Sequence, residues 1–110
     1  MLDIYLGTLY IISVHVIAKK TLVEYYKRNK EIKSQLEAWY HEAKNAEWKN
    51  PQEIKKKYAS ASIIGNNRVV FNIKGNKYRL VTKINYQMKK VFIRFIGTHK
   101  EYTKINAEEI

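Results

Sequence analysis

A chain of 110 residues is long enough for one hydrophobic core and too short for two, and 45% hydrophobic with 28% charged residues excludes wholesale disorder. Its 21 Lys and Arg against 10 acids leave a formal charge of +11, a surplus that points to a polyanionic partner, nucleic acid first. Cysteine is absent, which excludes disulfides and thiolate metal sites and fits a reducing cytoplasm.

The chain starts with an apolar run, Leu2–Ile17, broken by Asp3, Thr8, Ser13 and His15 and followed by Lys19-Lys20. A secretory signal carries its positive charge ahead of the apolar run, and here the order is reversed. The run is also short and interrupted for a membrane helix, which takes about 20 residues. The expectation is a first strand around Val14–Ala18 that joins the main sheet. Residues 1–13 then form either an extra strand or an extension from an upstream start, ahead of a single domain over 14–110. A membrane anchor is the competing reading.

From Lys19 to about Arg28 the spacing is helical, with Leu22, Tyr25 and Tyr26 on one side. After a break at Asn29-Lys30, a more strongly periodic helix runs from about Ile32 to Ala46 and carries Ile32, Leu36, Trp39, Tyr40 and Ala43. Its apolar stripe covers the sheet, and Trp48 continues that core. Asn50-Pro51-Gln52-Glu53 reads as a helix start: a capping Asn, a proline whose missing N–H costs nothing in the first turn, and a Glu three residues after the cap. This third helix ends near Tyr58. Its Lys55-Lys56-Lys57 run is either a solvated face or a contact for RNA or an acidic partner. Ala59–Ile64 is read as a link to the turn at Gly65-Asn66-Asn67. Tyr5, Tyr10, Tyr58, Tyr78 and Tyr86 are read as packing or surface aromatics.

Arg68–Lys74 and Lys77–Tyr86 flank Gly75-Asn76, a two-residue hairpin turn. That turn sets Asn72 opposite Arg79, Phe71 opposite Leu80 and Val69 opposite Thr82. A third strand, Val91–Ile96, with Ile84 paired to Val91, adds Val91, Ile93 and Phe95 to the oily face and Arg94 to the basic one. Three of the four arginines, Arg68, Arg79 and Arg94, then share one surface, and His99 and Tyr102 follow where the last strand ends. The expected architecture is α+β: two to three N-terminal helices packed on a mainly antiparallel, twisted sheet.

The ordered set Asn66-Asn67-Arg68-Val69-Val70-Phe71-Asn72-Ile73, Lys77-Tyr78-Arg79-Leu80, Ile93-Arg94-Phe95 and Thr98-His99-Lys100-Glu101-Tyr102 resembles the HigB family of bacterial toxins within the RelE-like superfamily. The likeness runs from about His15 to the C-terminus and includes Ala38-Trp39-Tyr40 and Ala46-Glu47-Trp48. It implies an endonuclease that cuts mRNA at the ribosome in the cytoplasm and is neutralised by a HigA-type helix-turn-helix antitoxin. It also implies a sheet whose concave face receives RNA, with Arg79, Arg94, His99 and Tyr102 in the corresponding region. The chain departs from the RelE pattern at the first core strand, where Val70 and Asn72 replace lysines, so the general base is His99, Tyr102 or a lysine.

Residue chemistry alone argues against a metal-held phosphate. Asp3 is the only aspartate, the nine glutamates show no ligand spacing, and His15, His41 and His99 are too dispersed for zinc. No cofactor is expected. In a metal-free route the RNA 2′-OH attacks its own phosphate, and the protein orients the nucleotide, moves two protons and stabilises charge. Arg79 and Arg94 suit the charge role, because a guanidinium forks onto two phosphate oxygens. An imidazole at His99 trades protons near neutral pH. Tyr102 stacks on a base or positions a phosphate. Arg68, Asn72, Lys74, Lys77, Lys83 and Lys100 are cast as RNA-binding residues, with a salt-sensitive contribution. The alternative is a non-catalytic basic module that binds RNA or the ribosome.

Overall fold

The computed structural model describes residues 15–110, and the expected N-terminal extension, the alternative extra strand, Tyr5 and Tyr10 lie outside them. Five strands form one sheet in the spatial order β1-β5-β4-β3-β2, namely β1 His15–Ile17, β2 Ser62–Ile64, β3 Arg68–Ile73, β4 Tyr78–Asn85 and β5 Lys90–Thr98. β1 runs parallel to β5, and every other pairing is antiparallel. Helices α1 (Lys19–Arg28), α2 (Lys33–Asn45) and α3 (Pro51–Lys57) precede the meander, with a 3₁₀ turn at Lys30–Ile32 between the first two. A short α4, His99–Tyr102, follows β5. This is the expected α+β architecture. Among the described residues no helix is long and apolar enough to cross a membrane.

The hairpin register agrees with the reading from the turn. Val69 faces Thr82, Phe71 faces Leu80 and Asn72 faces Arg79, and at the turn the Lys77 N–H donates to the Lys74 carbonyl at 3.3 Å while Lys74 and Gly75 take positive φ values of 55° and 67°. With the register set, one sheet face collects Val69, Phe71, Ile73, Tyr78, Leu80, Ile84, Val91 and Ile93, all buried against Leu22, Ile32, Leu36, Trp39, Ala43 and Ile54 from the helical layer. Phe71 is its centre, with ring centroids 5.3 Å from Trp39, 5.9 Å from Trp48 and 5.1 Å from Tyr58. Burial of each such side chain contributes about 1.5–3 kcal/mol, so this aromatic knot is what holds α2, the Trp48 loop and the end of α3 to the sheet. Helix α3 begins as read: Asn50 Oδ1 accepts from the Glu53 N–H at 3.0 Å.

Three features differ from the reading of the sequence. Ala59–Ile64 is not merely a link, because Ser62–Ile64 pairs with Arg68–Val70 as an edge strand too short to show alternation. Between β4 and β5 the register slips by one residue, with Val81 facing Phe95 and Thr82 facing Ile93, so that Arg94 is the extra residue of a β-bulge. Beyond the bulge every β5 side chain changes face. Phe95 therefore leaves the main core, and Ile96 enters it in its place.

The opposite face is also not simply basic. Val70, Val81 and Ala107 are buried in a second cluster, packed with Ile64, Phe95, Tyr102, Ile105 and Ile110. The C-terminal residues thus lie over the middle of that face, because two valines there present too much apolar surface to leave in water. Only its two ends remain polar.

Candidate nucleic-acid interface

At the end nearest the hairpin turn, Asn72, Arg79 and Gly97 stand in one row across β3, β4 and β5. Arg79 is half-buried, and its Nη1 donates to the carbonyls of Asn76 at 2.9 Å and Tyr78 at 3.3 Å. Of the five N–H donors of a guanidinium those two are engaged, which leaves the Nη2 and Nε hydrogens for an anion. Asn72 Nδ2 donates to Asn76 Oδ1 at 3.3 Å, so the amide is turned toward the same turn. Gly97 is required by its neighbours: a Cβ there would lie 2.6 Å from Phe95 Cζ and 2.8 Å from Glu101 Oε1. The Phe95 ring and the Glu101 carboxylate thus take up the room that a side chain would need at that end of the row.

Strand β5 hands over directly to α4. Thr98 caps the helix, with Oγ1 accepting from the Glu101 N–H at 3.1 Å and Glu101 Oε1 accepting from the Thr98 N–H at 2.8 Å. His99 is exposed, and its backbone N–H donates to the Lys77 carbonyl at 3.0 Å, which ties the start of α4 to the hairpin. Tyr102 is half-buried against the second cluster, and Lys100 is exposed. Arg94, at the bulge, is exposed.

The remaining sequence candidates separate. Arg68 is 6% exposed, donates through Nη1 to the Asn66 carbonyl at 2.8 Å and through Nη2 to the Ile110 carbonyl, and leaves Nε buried without a partner. It fastens the start of β3 to the C-terminal residues. Along the strand it is about 13 Å from Asn72, at roughly 3.3 Å per residue, with the second cluster between them. Arg68 therefore leaves the three-arginine grouping, and Arg94 stands three positions along β5 from Gly97, the residue that faces Arg79. Lys83 is exposed beside Arg68 at that far end. Lys74 and Lys77 flank the turn and reach Glu31 on the 3₁₀ turn at 3.6 Å and 3.8 Å. In the Lys55-Lys56-Lys57 run, Lys55 Nζ donates to the carbonyls of Ala59 at 2.6 Å and Ala61 at 2.8 Å, closing the end of α3, while Lys57 pairs with Glu42 at 3.5 Å.

Glu31, Gly97 and Glu101 are absent from the sequence candidates. Thr98-His99-Lys100-Glu101 does carry a readable signal, since Thr followed three residues later by Glu is a capping box. Glu31 carries none, because its partners lie more than forty positions away. The Glu31 carboxylate accepts from the Tyr78 hydroxyl and faces the two lysines, which holds it below the ordinary carboxylate range. The same bond, with burial, pushes Tyr78 up to about 12. Among the described residues no three His, Asp or Glu side chains gather as a metal-binding group.

Comparison with known proteins gives a consistent set of relatives. Over a 96-residue alignment the chain is 29% identical to the mRNA interferase toxin HigB of Escherichia coli strain K12, spanning 86% of this chain and 92% of that protein. The same identity and coverage hold for the mRNA interferase HigB of Shigella flexneri. A second Escherichia coli protein of that name, from strain O6:H1, is 24% identical over 94 residues, or 84% of this chain and 91% of its own length. Residues 32–105, which hold α2, the whole antiparallel sheet and α4, match the family described as HigB toxin, RelE-like toxic component of a toxin-antitoxin system. The chain belongs to that family.

Proposed function

We propose that the protein is an mRNA interferase, an endoribonuclease toxin that cuts messenger RNA on the ribosome in the cytoplasm and is neutralised by a HigA-type antitoxin. The observation that carries the reading is Arg79, half-buried in the row Asn72, Arg79 and Gly97 next to the start of α4, with its Nη2 and Nε hydrogens unengaged. The relatives' shared name supplies the reaction class.

In the mechanism, the scissile phosphate lies at Arg79, whose free Nη2 and Nε hydrogens fork onto its non-bridging oxygens. Arg94 approaches from the bulge and shares the charge that builds in the transition state. The 2′-OH attacks the adjacent phosphorus, its proton passes to a base, and the 5′-oxygen leaves with a proton from an acid. The products are a 2′,3′-cyclic phosphate and a free 5′-OH, with no metal ion and no external nucleophile. His99 supplies one of the two proton transfers, and Tyr102 orients the nucleotide at the edge of the second cluster. Lys83 and Lys100 contact the RNA backbone, and Lys74 and Lys77 do so from the turn. Exposed ion pairs such as theirs with Glu31 are weak enough to be shared with a phosphate.

The test is cleavage of message on translating ribosomes in EDTA by wild type, Arg79→Ala, Arg94→Ala and His99→Ala. Loss of His99 is expected to slow cleavage by about 10²–10⁴ while RNA affinity holds within a few-fold. An intact message with wild type, or three variants that cut as fast as wild type, would falsify the assignment. Binding without any cutting would identify a non-catalytic RNA-binding module.

A further inference from the structure

We infer that Glu31 is a positioning residue for this site: one carboxylate from the helical layer clamps the β3–β4 hairpin and through it sets Arg79, Asn72 and His99. The inference rests on the nuclease reading above.

The argument follows the bonds on either side of the turn. On the inner side, Glu31 accepts from the Tyr78 hydroxyl and lies 3.6 Å from Lys74 Nζ and 3.8 Å from Lys77 Nζ. Those three partners are the last residue before the turn, the first after it and the first of β4, so one side chain grips both arms of the hairpin at its tip. The Tyr78 ring is 4% exposed and meets Tyr25 edge-on at 6.2 Å, while its hydroxyl reaches the rim where Glu31 sits. The clamp thus has a fixed base in the core.

On the outer side, Lys77 and its neighbour Asn76 accept three hydrogen bonds from the site residues. The Asn76 carbonyl receives Arg79 Nη1 at 2.9 Å, the Asn76 side chain receives Asn72 at 3.3 Å, and the Lys77 carbonyl receives the His99 N–H at 3.0 Å. Lys74 and Gly75 hold the turn itself at positive φ. No other acidic side chain reaches the lysines of this turn among the described residues. Glu31 is half-exposed, so its role is alignment rather than bulk stability.

The charge balance makes the inference separable from a simple electrostatic effect. Removing Glu31 adds one positive charge and frees two lysines, which on electrostatics alone favours RNA binding. A clamp that aligns the reacting groups predicts the opposite sign for turnover, because a displacement of about 1 Å at such groups costs up to about 10²-fold in rate.

Steady-state cleavage of message on ribosomes is compared for wild type, Glu31→Gln, Glu31→Ala, Tyr78→Phe and the control Glu24→Gln, which removes an exposed carboxylate paired with Lys20 at 3.7 Å on α1. Exchange of the His99 amide hydrogen is followed by NMR in the same proteins. The expected result is a fall in kcat of about tenfold or more for Glu31→Ala and Tyr78→Phe, with KM unchanged or lower and faster His99 amide exchange. Glu24→Gln stays at the wild-type rate. A Glu31→Ala protein that is folded, keeps the wild-type kcat and protects His99 as before overturns the inference and leaves the nuclease reading standing. A wild type that cuts nothing overturns both, and a fall in KM alone with kcat intact overturns the inference by returning Glu31 to a charge effect.

Discussion

Replacement of Gly97 by Ala tests the site where fold and chemistry meet. The new Cβ would stand 2.6 Å and 3.1 Å from two atoms of the Phe95 ring and 2.8 Å from Glu101 Oε1. Carbon atoms pack at about 3.5–4.0 Å, so the ring must retreat by roughly 1 Å into the second cluster, where Val70 and Val81 are already buried. Overpacking of this kind costs about 1–3 kcal/mol. Glu101 can swing away, but it then releases the Thr98 N–H, and losing part of a cap costs about 1 kcal/mol. Against this, Ala in place of Gly in a strand recovers about 0.5–1 kcal/mol of chain entropy. The balance is a loss of about 2 kcal/mol, or roughly 10 °C in Tm for a domain of this size. Since α4 carries His99 and Tyr102, cleavage should fall further than stability, by about 10–100-fold below Tm. Thermal unfolding and ribosomal cleavage, measured on the same preparation, check both numbers. A variant with Tm at or above wild type and an unchanged cutting rate would refute the reasoning, because it would mean that the strand and α4 absorb the methyl without moving.

Two further outcomes follow from groups with unusual surroundings. Arg68→Ala should lower stability by about 2–3 kcal/mol, the worth of charge-assisted bonds from a buried guanidinium, and leave RNA affinity within about twofold. Lys83→Ala, at the neighbouring exposed position, should instead weaken RNA binding and reduce its salt dependence by about one ion, and the reverse pattern in filter binding and denaturant titration would overturn the assignment. Tyr58 is pushed above its ordinary value by burial and then by the Glu42 carboxylate that its hydroxyl meets, and Tyr78 is pushed up to about 12 by Glu31. A folded-state value above the unfolded value means that this stability is full below about pH 10 and is lost as pH climbs from there toward 12. Denaturant midpoints recorded across that range should fall less steeply for Tyr58→Phe than for wild type, and parallel curves would show that the hydroxyl contributes nothing to the alkaline limb.

The meander was legible because its signals are local. Gly75-Asn76 dictates a two-residue turn, and a two-residue turn fixes which residue faces which over the whole hairpin. Helix α2 was legible through its apolar period and α3 through Asn50, Pro51 and Glu53. The bulge was not, since an inserted residue in an alternating strand leaves Ile93, Arg94, Phe95 and Ile96 reading as an ordinary run. Nor was the second cluster, because Ala107 and Ile110 are isolated apolar residues in a polar tail, and only the folded sheet shows that Val70 and Val81 await them. The sequence could not tell Arg68 from Arg79 for one reason: both are strand arginines on the same face, and what separates them is the tail, which covers one and leaves the other half-open.

The bulge also explains why the candidate site takes its present form. Had β5 continued from Val91 without an extra residue, Arg79 would face Ile96, Leu80 would face Phe95, and Tyr78 would face Gly97. The guanidinium would then stand against a branched side chain, and a glycine would leave a gap in the core at Tyr78. Arg94 as an inserted residue shifts the strand by one position. Ile96 goes inward to Leu80, Phe95 joins the tail on the far face, and Gly97 comes to rest beside Arg79. The insertion therefore does two things: it supplies an exposed cation, and it sets opposite Arg79 a residue with no side chain, against which the Phe95 ring and the Glu101 carboxylate pack. One surplus residue in β5 thus decides both which side chains complete the core and which groups pack at the end of the sheet where the proposed site lies.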